Sequence, residues 1–159
     1  MTTTTERAAP ELAIQRPCRS PAMPADDEIR AIAAVALEDV DAAVVGVRIV
    51  GEREGGELNA RWRGRDYASN VLSFPATLSP GVGINLLGDI ALCAPLVERE
   101  AHAQGKSVYD HFAHLLVHGI LHLRGFDHIS DAQAAAMEAR ETELLARLDI
   151  GNPYLSDET

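Results

Sequence analysis

Three histidines lie close together in the run His118-Gly119-Ile120-Leu121-His122-Leu123-Arg124-Gly125-Phe126-Asp127-His128. Residues four apart project from the same side of a helix, so His118 and His122 are predicted to be neighbours on one helix face. Gly125 can adopt the left-handed conformation that ends a helix, and the returning chain can bring His128 back as a third nitrogen ligand. The run therefore predicts a metal site with three imidazole ligands and one open position.

His111 and His114 precede this pair on the same predicted helix, which has an apolar side and a histidine side. His114 and His122 are separated by about 12 Å at ~1.5 Å rise per residue, and zinc bonds are only ~2 Å long. The third ligand is therefore expected from beyond the helix. His114 is predicted to lie one turn away and to orient substrate or a ligand. For His111 alone, a structural or surface role is predicted.

Length and composition predict one domain with an ordinary core, since the chain has 159 residues of which 47% are apolar. Cys18 and Cys93 are far apart and indicate no disulfide framework or thiolate metal site. No stretch is apolar enough to span a membrane, and residues 1–10 lack the features of a signal peptide, so we expect a cytoplasmic protein. The predicted organisation is a flexible leader over residues 1–10, a domain over 11–155 and a tail over 156–159.

The net charge of −10 argues against a general nucleic-acid binder, because phosphate contacts require a positive potential. Residues 127–159 hold eight acids against two arginines. Arg61, Arg63 and Arg65 form a basic spot without an acid among them. If the ligand is RNA, we expect its affinity to depend on a protein or ribosomal partner.

Hydrophobic patterns predict alternating strands and helices. Strands are predicted at 11–16, 42–50, 71–74 and 87–93, and helices at 26–38, in the later half of 51–62, from Pro95 to about 104, after Ser107, and after Ser130. Ser130 and Gln133 resemble a capping box for the last helix. Residues 77–85, rich in proline and glycine, are predicted to form an exposed loop.

Metzincin proteases share the spacing of the three histidines and the glycine, in the pattern His-Glu-x-x-His-x-x-Gly-x-x-His. Here Gly119 replaces the glutamate that deprotonates the zinc-bound water, so peptide hydrolysis by that route is disfavoured. A base from elsewhere, such as Glu98, Glu100 or Asp127, remains an open alternative. Asp127 is equally well interpreted as a contact behind the ligands or as a turn residue that bonds the local backbone.

The run from His118 to His128 resembles the signature His-Gly-x-Leu-His-Leu-x-Gly-Phe/Tyr-Asp-His of the YbeY family, bacterial metal-dependent endoribonucleases of ribosomal RNA maturation. Three upstream blocks are similar to the family's other blocks in the same order: residues 58–64 with Arg63-Gly64, residues 69–75, and Leu87-Gly88-Asp89-Ile90. The resemblance covers roughly residues 11–154. Ser69 stands where the family usually has threonine, a change that keeps the hydroxyl.

The resemblance implies a single α+β domain, a small mixed sheet packed with helices. It also implies one zinc ion per chain, held by His118, His122 and His128, and an Arg63 that faces the site. The implied substrate is single-stranded or ribosomal RNA. The implied processing takes place near the 3′ end of the small-subunit ribosomal RNA. A part in ribosome quality control, with the ribosome or small-subunit assembly factors as partners, is implied as well.

A metal can activate a water or polarise a phosphodiester oxygen, while Arg63 neutralises charge that develops on the phosphate. Trp62 is the best candidate for stacking on a base, whereas Phe74 and Phe126 are expected in the core. Two other functions remain open. One is a protease-like metallohydrolase with a displaced base; the other is a ribosome-assembly binding protein with structural zinc, for which Cys93 or His114 would supply a fourth ligand.

Overall fold

The computed structural model of the chain describes residues 9–65, 69–76, 85–127 and 129–154. Within these ranges the elements are β1 (Glu11–Gln15), α1 (Asp26–Ala36), β2 (Ala43–Val50), α2 (Glu52–Arg63), β3 (Val71–Pro75), β4 (Asn85–Cys93), α3 (Ala94–Ala103), α4 (Val108–Leu123) and α5 (Asp131–Ala146). The predicted loop at residues 77–85 lies outside the described residues except for Asn85, which begins β4 instead. So do most of the predicted leader and the whole predicted tail.

The four strands form one mixed sheet in the order β1-β2-β4-β3. Strand β2 pairs in parallel with β1 and with β4, whereas the edge strand β3 runs antiparallel to β4. A register shift between Val44 and Val45 skips Leu87 of β4, directly before Gly88, whose φ of 142° suits only glycine. The predicted α+β class with a small mixed sheet is therefore confirmed.

The two faces of the sheet are covered unequally. Val45, Val47, Ile49 and Ile90 are buried on the first face, against the core that α1, α4 and α5 share. The second face carries Gly46, Arg48 and Asp89 and is covered by α2, which bonds it through the Arg48–Glu54 ion pair. An open groove of about 630 Å³ remains beside α2 on this second face, lined by polar and aromatic side chains that include Gln15, Arg48, Trp62, Phe74 and Asp89.

Helix α4 is the central helix of the first face and packs against β3, β4, α1, α3 and α5. It begins after Ser107, whose side chain accepts a hydrogen bond from the Asp110 amide, as the capping prediction requires. It ends before Gly125, which has the positive φ predicted for a helix stop. Because α4 is buried along most of its length, polar side chains such as His111 and His118 contact carboxylates of the neighbouring helices α3 and α5.

Helix α2 begins earlier than predicted. The pair Gly55-Gly56 favours only the later half of residues 51–62, yet the helix spans Glu52–Arg63. Its first turn is stabilised by acids at the positive end of the helix, and Glu52 and Glu54 are ion-paired to Arg99 and Arg48. Tertiary contacts therefore outweigh the low helix propensity of glycine here.

None of the helices in the described ranges is both long and apolar enough to cross a membrane.

Candidate functional site

His118 and His122 are adjacent on the last two turns of α4. Their ring centroids are 4.7 Å apart with an interplanar angle of 77°. Both side chains are partly exposed, while most of their neighbours along the helix are buried. The spacing of four residues thus places two imidazoles side by side at the surface of the core, as two ligands of one ion require.

A buried carboxylate holds the first of these two histidines. Glu141 of α5 is 0% exposed. Its Oε1 lies 2.5 Å from Nδ1 of His118. An ionised carboxylate only accepts hydrogen bonds, so Nδ1 of His118 donates, and in the neutral ring the lone pair is then on Nε2, as a metal ligand requires.

Two further groups contact the same carboxylate. Nε2 of His114 lies 3.2 Å from Oε2 of Glu141, and the hydroxyl of Tyr154 donates to that same oxygen. The His114 ring also meets the Tyr154 ring edge-on, with centroids 5.5 Å apart. His114 therefore lies one turn from His118, as predicted, and contacts it through Glu141.

These contacts keep Glu141 ionised. Burial alone would raise its pKa, but the hydrogen bonds from His114, His118 and Tyr154 lower the pKa of Glu141 to about 2. Burial and the nearby carboxylate raise the pKa of Tyr154 above its ordinary range, so its hydroxyl keeps the proton that it donates. The cluster is thus a charged acceptor surrounded by three donors.

The predicted third ligand, His128, lies outside the described residues. Asp127, directly before it, is partly buried in the turn after α4. Among the residues that the structure describes, no group of three or more His, Cys, Asp and Glu side chains is arranged to hold a metal ion. The pair of His118 and His122 fits two of the three predicted positions, and its donor chemistry suits zinc.

Arg63 is the last residue of α2, where it is exposed. Its neighbour Trp62 is 64% exposed and lies 5.8 Å from Phe74 between ring centroids, on the second face of the sheet. Helix α4 packs on β3 from the first face of the sheet, where Ser73 donates a hydrogen bond to the Gly119 carbonyl. The end of α2 and the histidine pair thus flank the same edge strand from opposite sides.

Asp89 is exposed on the second face, where its carboxylate lies against Gly46, so it points away from α4. Phe126 packs against the core, as predicted, whereas Phe74 lines the groove with Trp62. Tyr67 lies outside the described residues.

Gly119 is packed tightly against the sheet. A Cβ at this position would lie 3.2 Å from Cγ2 of Ile90 and 3.2 Å from Oγ of Ser73. A glutamate at this position would begin against the sheet, and Ile90 and Ser73 would have to shift to admit it, so the motif position is poorly suited to the protease base.

The alternative bases at α3 are already bonded. Glu98 accepts a hydrogen bond from Ser20, and Glu100 contacts Asn70 and His111. His111 precedes His118 by about two turns, so Glu100 is displaced from the histidine pair by roughly 10 Å along α4 at ~1.5 Å per residue.

Neither proposed fourth ligand favours a closed zinc site. Burial raises the pKa of the Cys93 thiol, and the charged side chains that influence it include Glu52 of α2 and Arg99 of α3. His114 is engaged through Nε2 with Glu141. Its Nδ1 is buried and has no hydrogen-bond partner among the described residues.

Sequence reasoning missed Glu141 and Tyr154. A signal for Glu141 was present, because the buried positions of α5 are Met137, Glu141, Leu144 and Leu145, a helical stripe in which one member is charged. A carboxylate on an apolar helix face needs a partner inside the fold. No comparable signal marks Tyr154.

A family model described as "Endoribonuclease YbeY" matches residues 22–149 of the chain. Three relatives carry the name Endoribonuclease YbeY. The protein of Alteromonas mediterranea is 49% identical over 135 residues, 85% of each chain. That of Cellvibrio japonicus is 52% identical over 134 residues, 83% of this chain and 76% of the relative. That of Pseudomonas fluorescens is 48% identical over 151 residues, 94% of this chain and 99% of the relative.

The fold is also similar to the solution structure of a Thermotoga maritima protein. The TM-score is 0.56 at 21% sequence identity, and the match covers 91% of this chain and 99% of that one. At this identity the likeness supports the fold alone. The family model, in contrast, matches most of the chain, and the relatives are 48% and 49% identical over 94% and 85% of it, so the chain belongs to the YbeY endoribonuclease family.

Proposed function

We propose that this protein is a zinc-dependent endoribonuclease that cleaves single-stranded RNA during ribosomal RNA maturation, near the 3′ end of the small-subunit RNA, with a part in ribosome quality control. The proposed zinc ligands are His118, His122 and His128, one ion per chain. The observation that carries the proposal is the pair of adjacent imidazoles on α4, one of them held by a buried carboxylate, in a chain of an endoribonuclease family.

Bound zinc would supply a Lewis acid that lowers the pKa of a water or polarises a phosphoryl oxygen. The protein supplies the rest. Glu141 orients His118. Gly119 allows α4 to pack closely on the sheet, and this sets the distance between the histidine pair and strands β3 and β4. Three ligands leave a coordination position for a reacting oxygen.

Arg63 is proposed to bind the scissile phosphate and to neutralise charge in the transition state. A guanidinium binds two phosphate oxygens at once and keeps its proton near neutral pH. Its exposed place at the end of α2, beside the edge strand that α4 also contacts, is compatible with an RNA strand that crosses this edge. Trp62, next to it and largely exposed, would stack on a base.

Partners on the ribosome are proposed from the charge. A net charge of −10 gives little general attraction for RNA, so we expect the ribosome or small-subunit assembly factors to deliver the substrate. The same proposal places the protein in the cytoplasm. Tight, salt-sensitive binding of isolated RNA would contradict the proposal that a ribosomal partner delivers the substrate.

A protease-like metallohydrolase is the competing function, and the packing of Gly119 and the bonds of Glu98 and Glu100 weaken it. The test incubates the zinc-loaded protein with a labelled unstructured RNA and, separately, with casein, with and without chelator. We expect chelator-sensitive cleavage of the RNA only. Casein hydrolysis without RNA cleavage would reverse the assignment.

The role of Arg63 is tested by Arg63→Ala, with Arg53→Ala as the matched control because Arg53 is an exposed arginine at the other end of α2. We expect RNA cleavage to fall by ~10²- to 10³-fold in Arg63→Ala, the range for loss of one transition-state contact. Zinc content and melting temperature should stay unchanged, and Arg53→Ala should cleave normally. Equal cleavage by both variants would remove the role of Arg63.

A further inference from the structure

We infer that Glu141 is a positioning residue that sets the tautomer of His118, and that Tyr154 and His114 hold Glu141 in place for this task. The inference rests on the proposed zinc site and adds to it a support built from the C-terminal part of the domain. Neither the motif nor the predicted ligand set contains this support.

The first step of the argument is the geometry at His118. A neutral imidazole carries its proton on one nitrogen and its lone pair on the other. Glu141 Oε1 lies 2.5 Å from Nδ1, so the proton belongs on Nδ1 and the lone pair on Nε2. Ligating histidines commonly bond a carboxylate or a carbonyl through their second nitrogen in this way.

The second step is the way in which Glu141 is itself fixed. The carboxylate is fully buried, so it cannot turn toward water. Oε1 is occupied by His118, and Oε2 receives both His114 and Tyr154. A rotation of the carboxylate would therefore break contacts with α4 and with the segment that follows α5.

The third step concerns Tyr154, which belongs to the segment that follows α5. Its amide donates to the side chain of Asn152, and the Asn152 oxygen also accepts from Thr142 of α5. This turn brings the phenol back onto the helix from which Glu141 projects. The segment after α5 therefore takes part in the support of a histidine on α4.

A purely structural ion pair is the competing explanation. It predicts that loss of Glu141 changes stability without changing which nitrogen of His118 carries the proton. The tautomer is therefore the measurement that separates a positioning role from a structural one.

The test begins with the unaltered, metal-free protein. Long-range proton–nitrogen NMR on histidine-labelled protein, at a pH where His118 is neutral, identifies the nitrogen that bears the proton. We expect the proton on Nδ1. A proton on Nε2 would overturn the inference, whatever any variant does.

The second arm compares Glu141→Leu with Glu143→Leu, first by the same NMR measurement, in which we expect the Nδ1 proton of His118 to be lost in Glu141→Leu alone. Leucine suits the buried position, and Glu143 is an exposed acid on the same helix, so the control has the same change in charge. With zinc alone as the probe, competition against a coloured chelator should show affinity lowered ~10- to 100-fold in Glu141→Leu and unchanged in Glu143→Leu. Unchanged affinity in Glu141→Leu would also overturn the inference.

Two milder variants complete the test. Glu141→Gln keeps an oxygen acceptor and should restore part of the affinity and the Nδ1 proton. Tyr154→Phe should lower zinc affinity about two- to ten-fold, the effect of one hydrogen bond. Affinity for Glu141→Gln no better than for Glu141→Leu would show that the acceptor oxygen is not the cause.

Failure of this inference is separable from failure of the proposed function. Zinc affinity and the tautomer are measured without RNA. A protein that binds zinc with the expected tautomer but leaves RNA intact refutes the function and supports the inference. If the unaltered protein cleaves RNA and Glu141→Leu binds zinc normally, the proposed function is supported and the inference is refuted.

Discussion

Two of the histidine–carboxylate contacts of helix α4, His111 with Glu100 and His118 with Glu141, are built in opposite ways. In the first half, His111 is the buried partner at 4% exposure, and the Glu100 side chain is 34% exposed. In the second half, Glu141 is fully buried, and the His118 side chain is 27% exposed. The histidine is therefore the buried member of the contact in the first half of the helix, and the carboxylate is the buried member in the second half.

The two contacts also use different ring nitrogens. His111 meets Glu100 through Nε2, at 2.8 Å, and its Nδ1 is buried with no hydrogen-bond partner within the described ranges. His118 meets Glu141 through Nδ1, the ring nitrogen nearer the backbone. His111 is therefore part of the packing between α3 and α4, whereas His118 has the contact expected of the proposed ligand. A histidine beside a carboxylate becomes informative only when its second nitrogen and its burial are known.

The largest effect is expected from His122→Ala, which removes a proposed ligand in the second half of α4. Zinc and RNA cleavage should be lost together, because two imidazoles bind zinc far more weakly than three. Metal analysis of the purified variant, alongside the cleavage assay, checks this. Full zinc occupancy would show that the ligand assignment is wrong.

His111→Ala should instead cost stability. We expect the free energy of unfolding to fall by about 2 to 4 kcal/mol, because a buried ring is removed and Glu100 loses a partner. Denaturant unfolding of the metal-free protein measures this change. Zinc affinity should remain that of the unaltered protein, and a loss of zinc without a loss of stability would contradict the comparison.

Gly119→Ala probes the close contact between the second half of α4 and the sheet. The added methyl group would meet Ile90 and Ser73 at 3.2 Å, so we expect a loss of about 1 to 3 kcal/mol from overpacking. Thermal and denaturant unfolding give the value. Gly105→Ala would be a poor control because its φ is positive, so Ala103→Gly, at the end of α3, serves as a comparison of backbone flexibility alone.

The smallest effect is expected from Glu100→Gln. Its side chain is partly exposed, and the amide keeps an oxygen that can accept from His111, so the unfolding free energy should change by less than about 1 kcal/mol. Chelator competition should give the same zinc affinity as before. Glu100→Gln is the counterpart of Glu141→Gln, and an equal fall in zinc affinity in both would erase the distinction between the two contacts.

Local patterns predicted much of the fold. Ser107, the capping box at Ser130 and Gln133, and the stop at Gly125 all lie where the helices begin or end. These signals depend on residues within one or two turns of each other. Helix α2 was predicted only in part, because its first turn depends on ion pairs with β2 and α3, which no local window contains.

The candidate site, like the fold, was predictable only where it depends on residues that are close together in the sequence. The spacing of His118 and His122 determines that they are neighbours, and the structure places them so. Glu141 lies 23 residues beyond His118, and only the packing of α5 on α4 brings the two together. The roles of His128 and Arg63 stay predictions.

The hydrogen bond from the Tyr154 hydroxyl to Glu141 has a consequence for biosynthesis. The three predicted ligands are translated before Glu141 and Tyr154, so a growing chain exposes its imidazoles to the cell before their support exists. The support proposed for His118 forms only after α5 and the turn that holds Tyr154 have emerged and docked. We therefore expect the proposed metal site to reach its final geometry only after Tyr154 has been synthesised.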